Sequence, residues 1–199
     1  LFVEIIKIFF TFYYKIKMPK ILHLFRPGVN FMLCNLFIGR FNPPTILHYQ
    51  IIQEMVKNNT DCFVFIVSGE KSQKDKNPLD TEFIKKLISN KRIKTDICAN
   101  AIQALDVLDV LGYNEVNLYC GSDRIKSYSG LNKYHSFNLN IKEIKRQNTD
   151  VSASMIRSGI RNNRMEVIDL LFPGISDLDI KKIIEKVNEH NPNNKKTSK

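Results

Sequence analysis

Between Met32 and Val187 the apolar residues follow two spacings in turn. Met32–Ile38 is a short apolar run and Cys62–Val67 a continuous one, the pattern of strands covered on both faces. Thr95–Ala99 and Val116–Cys120 are shorter strand candidates, and Phe137–Ile144 is a fifth in which Asn138, Asn140 and Lys142 alternate with Leu139, Ile141 and Glu143. Between them the apolar positions return every three or four residues, as on one face of a helix. This holds for Ile46, Ile51, Ile52, Met55 and Val56, and for Phe83, Ile84, Leu87 and Ile88 within Thr81–Asn90. It holds again for Ile102, Leu105, Leu108 and Leu111, a run stopped by Gly112. A helix opens at Ser152, and Val167–Phe172 and Asp177–Val187 read as amphipathic helices separated by Pro173-Gly174.

Strands alternating with helices at this rhythm predict an α/β fold, a doubly wound parallel five-stranded sheet with helices on both faces and a C-terminal helical extension. Ligands of such sheets lie beyond the carboxyl ends of the strands. The turn at Gly39, the loop after Ser68 and the Gly121-Ser122-Asp123 turn are therefore expected along one edge.

A chain of 199 residues fits one domain, and 43% hydrophobic with 25% charged residues excludes a disordered or membrane-embedded protein. Residues 1–31 form an N-terminal extension of open role. Its first 17 residues are apolar but carry Glu4, Lys7, Lys15 and Lys17, falling short of the roughly 20 apolar residues of a span, and no small-residue cleavage site follows. Translated upstream sequence and a membrane-touching anchor both stand as readings, with Met18 and Met32 as plausible initiators. The folded domain is expected over 32–190, and 191–199 is a basic tail too polar to fold.

The net charge of +10 favours an anionic partner. The lysines are dispersed and partly terminal, and no aromatic-basic interleaving marks a nucleic-acid module, so the charge points to a small phosphorylated ligand rather than nucleic acid. Cys34, Cys62, Cys98 and Cys120 lie in or beside apolar runs with no close pair, which argues against zinc and, for a chain read as cytoplasmic, against disulfides. The oligomeric state is left open, a homo-oligomer included.

The candidate chemistry centres on Gly39-Arg40-Phe41-Asn42-Pro43-Pro44-Thr45-Ile46-Leu47-His48. A strand that stops at Gly, turns through prolines and opens a helix offers free backbone N–H groups and the positive end of a helix dipole, a place for phosphate. Thr45 and His48, three apart, face the same side. Lys76-Asn77-Pro78-Leu79 follows the second strand, in a loop whose lysines either bind phosphate or are solvated. Val151-Ser152-Ala153-Ser154-Met155-Ile156-Arg157 places hydroxyls and a guanidinium at a helix start, where Ser152 can cap. Asp123 can likewise cap the helix after Gly121.

Together these segments resemble the nucleotidylyltransferase superfamily. Gly39–His48 resembles its G-x-F-x-P-x-[HT]-x-G-H motif, and Val151–Arg157 its I-S-S-T-x-[IL]-R motif. Lys76–Leu79 is similar to the K-N-P-[FL] segment of archaeal-type nicotinamide-nucleotide adenylyltransferases and of related phage and viral enzymes. The resemblance covers about residues 32 to 175. It implies a Rossmann-like fold and transfer of an adenylyl group from ATP to a small phosphorylated acceptor, foremost nicotinamide mononucleotide, with release of pyrophosphate. Cytidylyl transfer and phosphopantetheine adenylyl transfer are alternatives within the class.

Carried onto this sequence, the resemblance makes His48, Thr45 and Arg157 catalytic. Gly39, Arg40, Phe41, Asn42, Gly121, Asp123, Ser152 and Ser154 join them around the nucleotide, and Lys76, Asn77 and Asp123 meet the acceptor. Mg²⁺ is expected on the triphosphate, with no dedicated protein metal site. Leu47 stands where the family has Gly, which leaves a nucleotide-binding module without turnover as a further alternative.

Overall fold

A computed structural model describes residues 31–68, 73–144 and 151–192. The expectations for 1–30 and for the final residues of the tail fall outside them. The elements run β1 (Leu33–Gly39), α1 (Ile46–Met55), β2 (Asp61–Val67), α2 (Thr81–Ile88), β3 (Lys94–Cys98) and α3 (Ala101–Val110). There follow β4 (Glu115–Gly121), α4 (Ser122–Tyr128), a 3-10 turn (Leu131–Tyr134), β5 (Asn138–Ile144), α5 (Ala153–Arg161), a second 3-10 segment (Met165–Leu170) and α6 (Asp177–Glu189).

All five strands are parallel, in the order β3-β2-β1-β4-β5. The chain winds outward from β1 to β3 and then crosses to β4 on the other side of β1. The carboxyl ends of β1 and β4 therefore flank the point where the winding reverses, the place such sheets leave open for a ligand.

Strand periodicity divides the core into two layers. Cys34, Leu36 and Ile38 of β1 join Phe63 and Phe65 of β2 on one face, packed with Leu105 and Leu108 of α3 and with Leu139. Phe37, Val64 and Ile66 point to the other face, against Ile52 and Met55 of α1, Ile84 and Ile88 of α2, Ile156 and Ile160 of α5, and Ile183 and Val187 of α6. Each such side chain contributes about 1.5–3 kcal/mol on leaving water. Helices on both faces explain why β1 and β2 read as largely apolar runs.

One buried polar residue interrupts β1. Asn35 donates through Nδ2 to the Met55 carbonyl at 2.7 Å and accepts from Asn117 Nδ2 of β4 at 3.1 Å. Its amide thus joins α1 and the neighbouring strand, with both its nitrogen and its oxygen partnered.

Two expectations change. The helix read over Val167–Phe172 is a 3-10 segment at Met165–Leu170. Leu171 ends the segment in extended conformation, and Pro173 disfavours a return to helical backbone at Phe172. The second concerns Asp123: Gly121 occupies the N-cap of α4, and Asp123 lies in the first turn.

Candidate functional site

At the carboxyl ends of β1 and β4 lies a cavity of about 350 Å³, within the size range of small-ligand sites. Every site residue named from the sequence lines it, from Gly39–Asn42, Thr45 and His48 through Lys76, Asn77, Gly121 and Asp123 to Ser152, Ser154 and Arg157. Leu47, Gln50 and Arg124 line it as well.

The turn after β1 is shaped by one aromatic ring. Phe41 has φ 51, a left-handed conformation uncommon for a bulky residue, and its ring is buried at 1% exposure between Phe37 and His48. A Cβ on Gly39 would lie 3.0 Å from Phe41 Cε2. Glycine ends β1 here because the ring folds back onto it. Phe41 therefore shapes the turn from within while lining the cavity.

Thr45 caps α1 in extended conformation and is itself 1% exposed. Its backbone N–H donates to His48 Nδ1 at 2.9 Å, and its Oγ1 lies 3.0 Å from the same nitrogen. An N–H has only a proton to offer, so Nδ1 must accept, which assigns the neutral ring's proton to Nε2. The turn is pinned from behind by a bridge between Thr45 and Leu171 and by the bond from Phe172 N–H to the Pro44 carbonyl.

On the far side Ser152 caps α5, accepting from Met155 N–H at 3.1 Å. This fixes the first turn of α5 at the cavity and brings Arg157, one turn on, into its wall. Arg157 is 9% exposed. Nη1 donates to the Asn42 carbonyl at 2.5 Å and Nη2 to Ser154 Oγ at 3.2 Å, while Nε has no partner. Among the described residues no carboxylate forms an ion pair with it. Burial presses its pKa down and the neighbouring Arg161 charge presses the same way; Asp75 pulls against them, and Arg40 adds a smaller downward push. A buried cation crowded by cations is stabilised by an incoming anion.

The rest of the lining has the same sign. Among the described residues, Arg40, Lys76, Arg124 and Arg157 face the cavity against a single carboxylate, Asp123, which lies 3.5 Å from Arg124 Nε. Asn42 lines the cavity with its side-chain amide bonded to the chain, donating to the Leu79 carbonyl at 2.9 Å and accepting from Leu79 N–H at 3.1 Å.

Sequence reasoning missed Arg124 and Gln50 in the lining. Arg124 directly follows the Gly121-Ser122-Asp123 turn, a position that could have drawn it in. Gln50 carried no signal beyond helical spacing from the motif turn.

A larger open groove of about 870 Å³ lies at the opposite, amino ends of the strands, bordered by Asn58, Asp61, Arg92, Lys94 and Tyr113. Three of its cations are already engaged, Lys94 with Asp61, Lys57 with Glu54 and Arg92 with the Val56 carbonyl. Size notwithstanding, the cavity at the carboxyl ends is the candidate site. Among the described residues no helix is long and apolar enough to cross a membrane, and no cluster of three or more His, Cys, Asp or Glu side chains could hold a metal.

No protein-family model matches this sequence, and no curated protein matches it. Solved structures do match its architecture. A bifunctional NMN adenylyltransferase/ADP ribose pyrophosphatase from Francisella tularensis superposes with a TM-score of 0.58 at 15% identity, over 80% of this chain and 52% of that one. The chain thus spans about half the length of that protein. A nicotinic acid mononucleotide adenylyltransferase from Plasmodium falciparum, complexed with APC, gives 0.53 at 16% identity over 80% of this chain and 98% of its own. Thermotoga maritima TmcAL, bound with alpha-thio ATP, gives 0.55 at 16% identity over 81% and 57%. The five-stranded parallel sheet, with its turn at the winding reversal, is a Rossmann-like α/β fold that this chain shares with these solved structures.

Proposed function

We propose that the protein is an adenylyltransferase, moving AMP from ATP to a small phosphorylated acceptor, with nicotinamide mononucleotide the first candidate and NAD the product. The observation that carries this reading is Arg157, a buried guanidinium with a free Nε in the wall of a cationic cavity shared with His48. Structural neighbours that are nucleotide adenylyltransferases support the choice of reaction.

In the reaction an acceptor phosphate oxygen attacks the α-phosphorus of ATP. The bond from that phosphorus to the bridging oxygen breaks, and pyrophosphate leaves with the electron pair. No covalent intermediate with the protein is needed, so the residues act by alignment and charge stabilisation. His48 donates through Nε2–H to an α-phosphate oxygen, its orientation held by the Thr45 N–H. Arg157 takes the β- and γ-phosphates as a charged fork, with Ser154 beside it and the first turn of α5 adding backbone donors. Arg40 is a further cation for the triphosphate, and Lys76, Asn77 and Asp123 face the acceptor, Lys76 toward its phosphate and Asp123 toward a ribose.

Mg²⁺ would bind with the triphosphate and offset its charge; among the described residues Asp123 is the one carboxylate lining the cavity, which suits a metal held mainly by phosphate oxygens and water. The reading places the protein in the cytoplasm, with a homo-oligomer allowed.

Leu47 supports a second reading. It is half-buried, packs on the core and lines the cavity where the resembled motif has Gly, which suits a module that binds ATP without turning it over. Purified protein given ATP and nicotinamide mononucleotide, with pyrophosphate followed, separates the two. Turnover supports the enzyme. ATP binding without pyrophosphate, together with activity gained by Leu47→Gly, supports the module, and turnover with CTP alone eliminates the adenylyl reading.

A further inference from the structure

Segment 75–79 carries Lys76 and Asn77 into the cavity wall and is clipped at both ends. At its far end Asn42 holds Leu79 through both backbone groups, at 2.9 and 3.1 Å. At its near end Arg161 donates through Nη2 to the Asp75 carbonyl at 2.6 Å. The same guanidinium reaches the Val187 carbonyl through Nε at 3.4 Å and the His190 carbonyl at 3.3 Å. Between the clips, Lys76 and Asn77 N–H both bond the Gln73 carbonyl, closing a turn.

The clips meet on one helix. Arg161 lies four residues after Arg157 on α5, so both face the same way. Arg157 bonds the carbonyl of Asn42 while Arg161 bonds the carbonyl of Asp75. Asn42, Leu79, the turn, Asp75, Arg161 and Arg157 form a closed ring of contacts. One side of the ring faces the triphosphate half of the cavity and the other presents Lys76 and Asn77. Arg161 itself does not line the cavity, and its bonds go to carbonyls rather than carboxylates. A guanidinium with three backbone carbonyls in reach orders chain more than it neutralises charge.

We infer that Arg161 and the Asn42 side chain are positioning residues that hold Lys76 and Asn77 at the acceptor side, in register with the phosphate-gripping helix. This rests on the adenylyltransferase reading and adds to it which groups set acceptor affinity. ATP meets α5 and the turn after β1 directly, whereas the acceptor depends on a segment that these two clips keep in place.

The test compares wild type with Arg161→Ala and Arg161→Lys by two readouts. Steady-state kinetics with ATP and nicotinamide mononucleotide should show the KM for the mononucleotide rising on the order of tenfold in Arg161→Ala while the KM for ATP shifts by less than about threefold. Arg161→Lys, which keeps one cationic donor, should fall between. Amide hydrogen exchange without any substrate should quicken at Lys76, Asn77 and Leu79 in Arg161→Ala, with the strands of the sheet unchanged. Should Arg161→Ala fail to fold, Arg161→Lys carries both readouts. Equal rises in the two KM values, or unaltered exchange at 76–79, overturn the inference. A wild type without turnover refutes the enzyme reading instead, and the exchange readout still decides the clips.

Discussion

Arg157 and Asn42, 115 positions apart in the chain, are joined by a 2.5 Å hydrogen bond from Nη1 to the main-chain carbonyl oxygen. That bond closes the motif turn after β1 onto the motif helix α5. It uses one nitrogen of the guanidinium and leaves Nε unpartnered in a buried, cationic wall. The two segments are held together by the protein, while the charge between them is left for a ligand.

His48 is the nearest test of chemistry. His48→Ala removes the donor assigned to the α-phosphate and should lower turnover by a factor on the order of 10². It also removes the acceptor of the Thr45 N–H, so unfolding stability should drop by about 1 kcal/mol, as for loss of a helix cap. Steady-state rates and urea unfolding measure the two effects, and an unchanged rate would take His48 out of the mechanism.

Gly159 is a packing requirement. A Cβ there would lie 2.4 Å from Val167 Cγ1, where α5 meets the second 3-10 segment. Gly159→Ala should destabilise by roughly 1–3 kcal/mol. Adding Val167→Ala makes room, so the double variant should be less impaired than the two separate losses combined. Strict additivity in urea unfolding would show that the contact is not what makes Gly159 necessary.

Acid sensitivity has an identifiable contributor at Asp61. Hydrogen bonds from Lys94 at 2.7 Å and Tyr113 at 2.6 Å hold its carboxyl below the ordinary 3.8. A lowered folded pKa means the ionised form favours the folded state. That gain is complete above 3.8 and is lost as pH falls through the lower folded value. Asp61→Asn should cost about 0.5–1 kcal/mol at pH 7, a modest figure because water screens the pair, and almost nothing near pH 2. Urea unfolding at the two pH values checks this, and an equal cost at both would exclude Asp61 as the source.

The four cysteines should be inert in the folded protein. All are buried, and burial pushes each thiol up, Cys98 to about 12. The thiolate is the reactive form, so iodoacetamide at pH 8 should leave the native chain unlabelled and modify Cys34, Cys62, Cys98 and Cys120 after unfolding. Rapid native labelling of any of them would contradict the packing described.

The elements were legible because each carries a period. The runs Met32–Ile38 and Cys62–Val67 and the spacing of Ile51, Ile52 and Met55 name their structures unaided, with ends displaced by a residue or two. Gly39 and Gly121 pair in the ladder although they read as turn residues. Helix α4, Ser122–Tyr128, buries none of its residues and so left little apolar trace. The side-by-side placement of β1 and β4 followed from no local pattern. At the site, Gly39–His48 and Val151–Arg157 stood out because helix starts with caps have a local grammar. The bond of Asn42 to Leu79 and the reach of Arg161 to Asp75 did not, since a side chain that meets a distant carbonyl leaves no periodic mark.

Calorimetric titration of ATP into wild type and Arg157→Met tests the central claim most directly. The account predicts saturable binding at one site in the wild type, weakened on the order of a hundredfold in the variant, the loss expected for a charge-assisted contact to phosphate. Equal affinity in both proteins, or no ATP binding by the wild type, would contradict it.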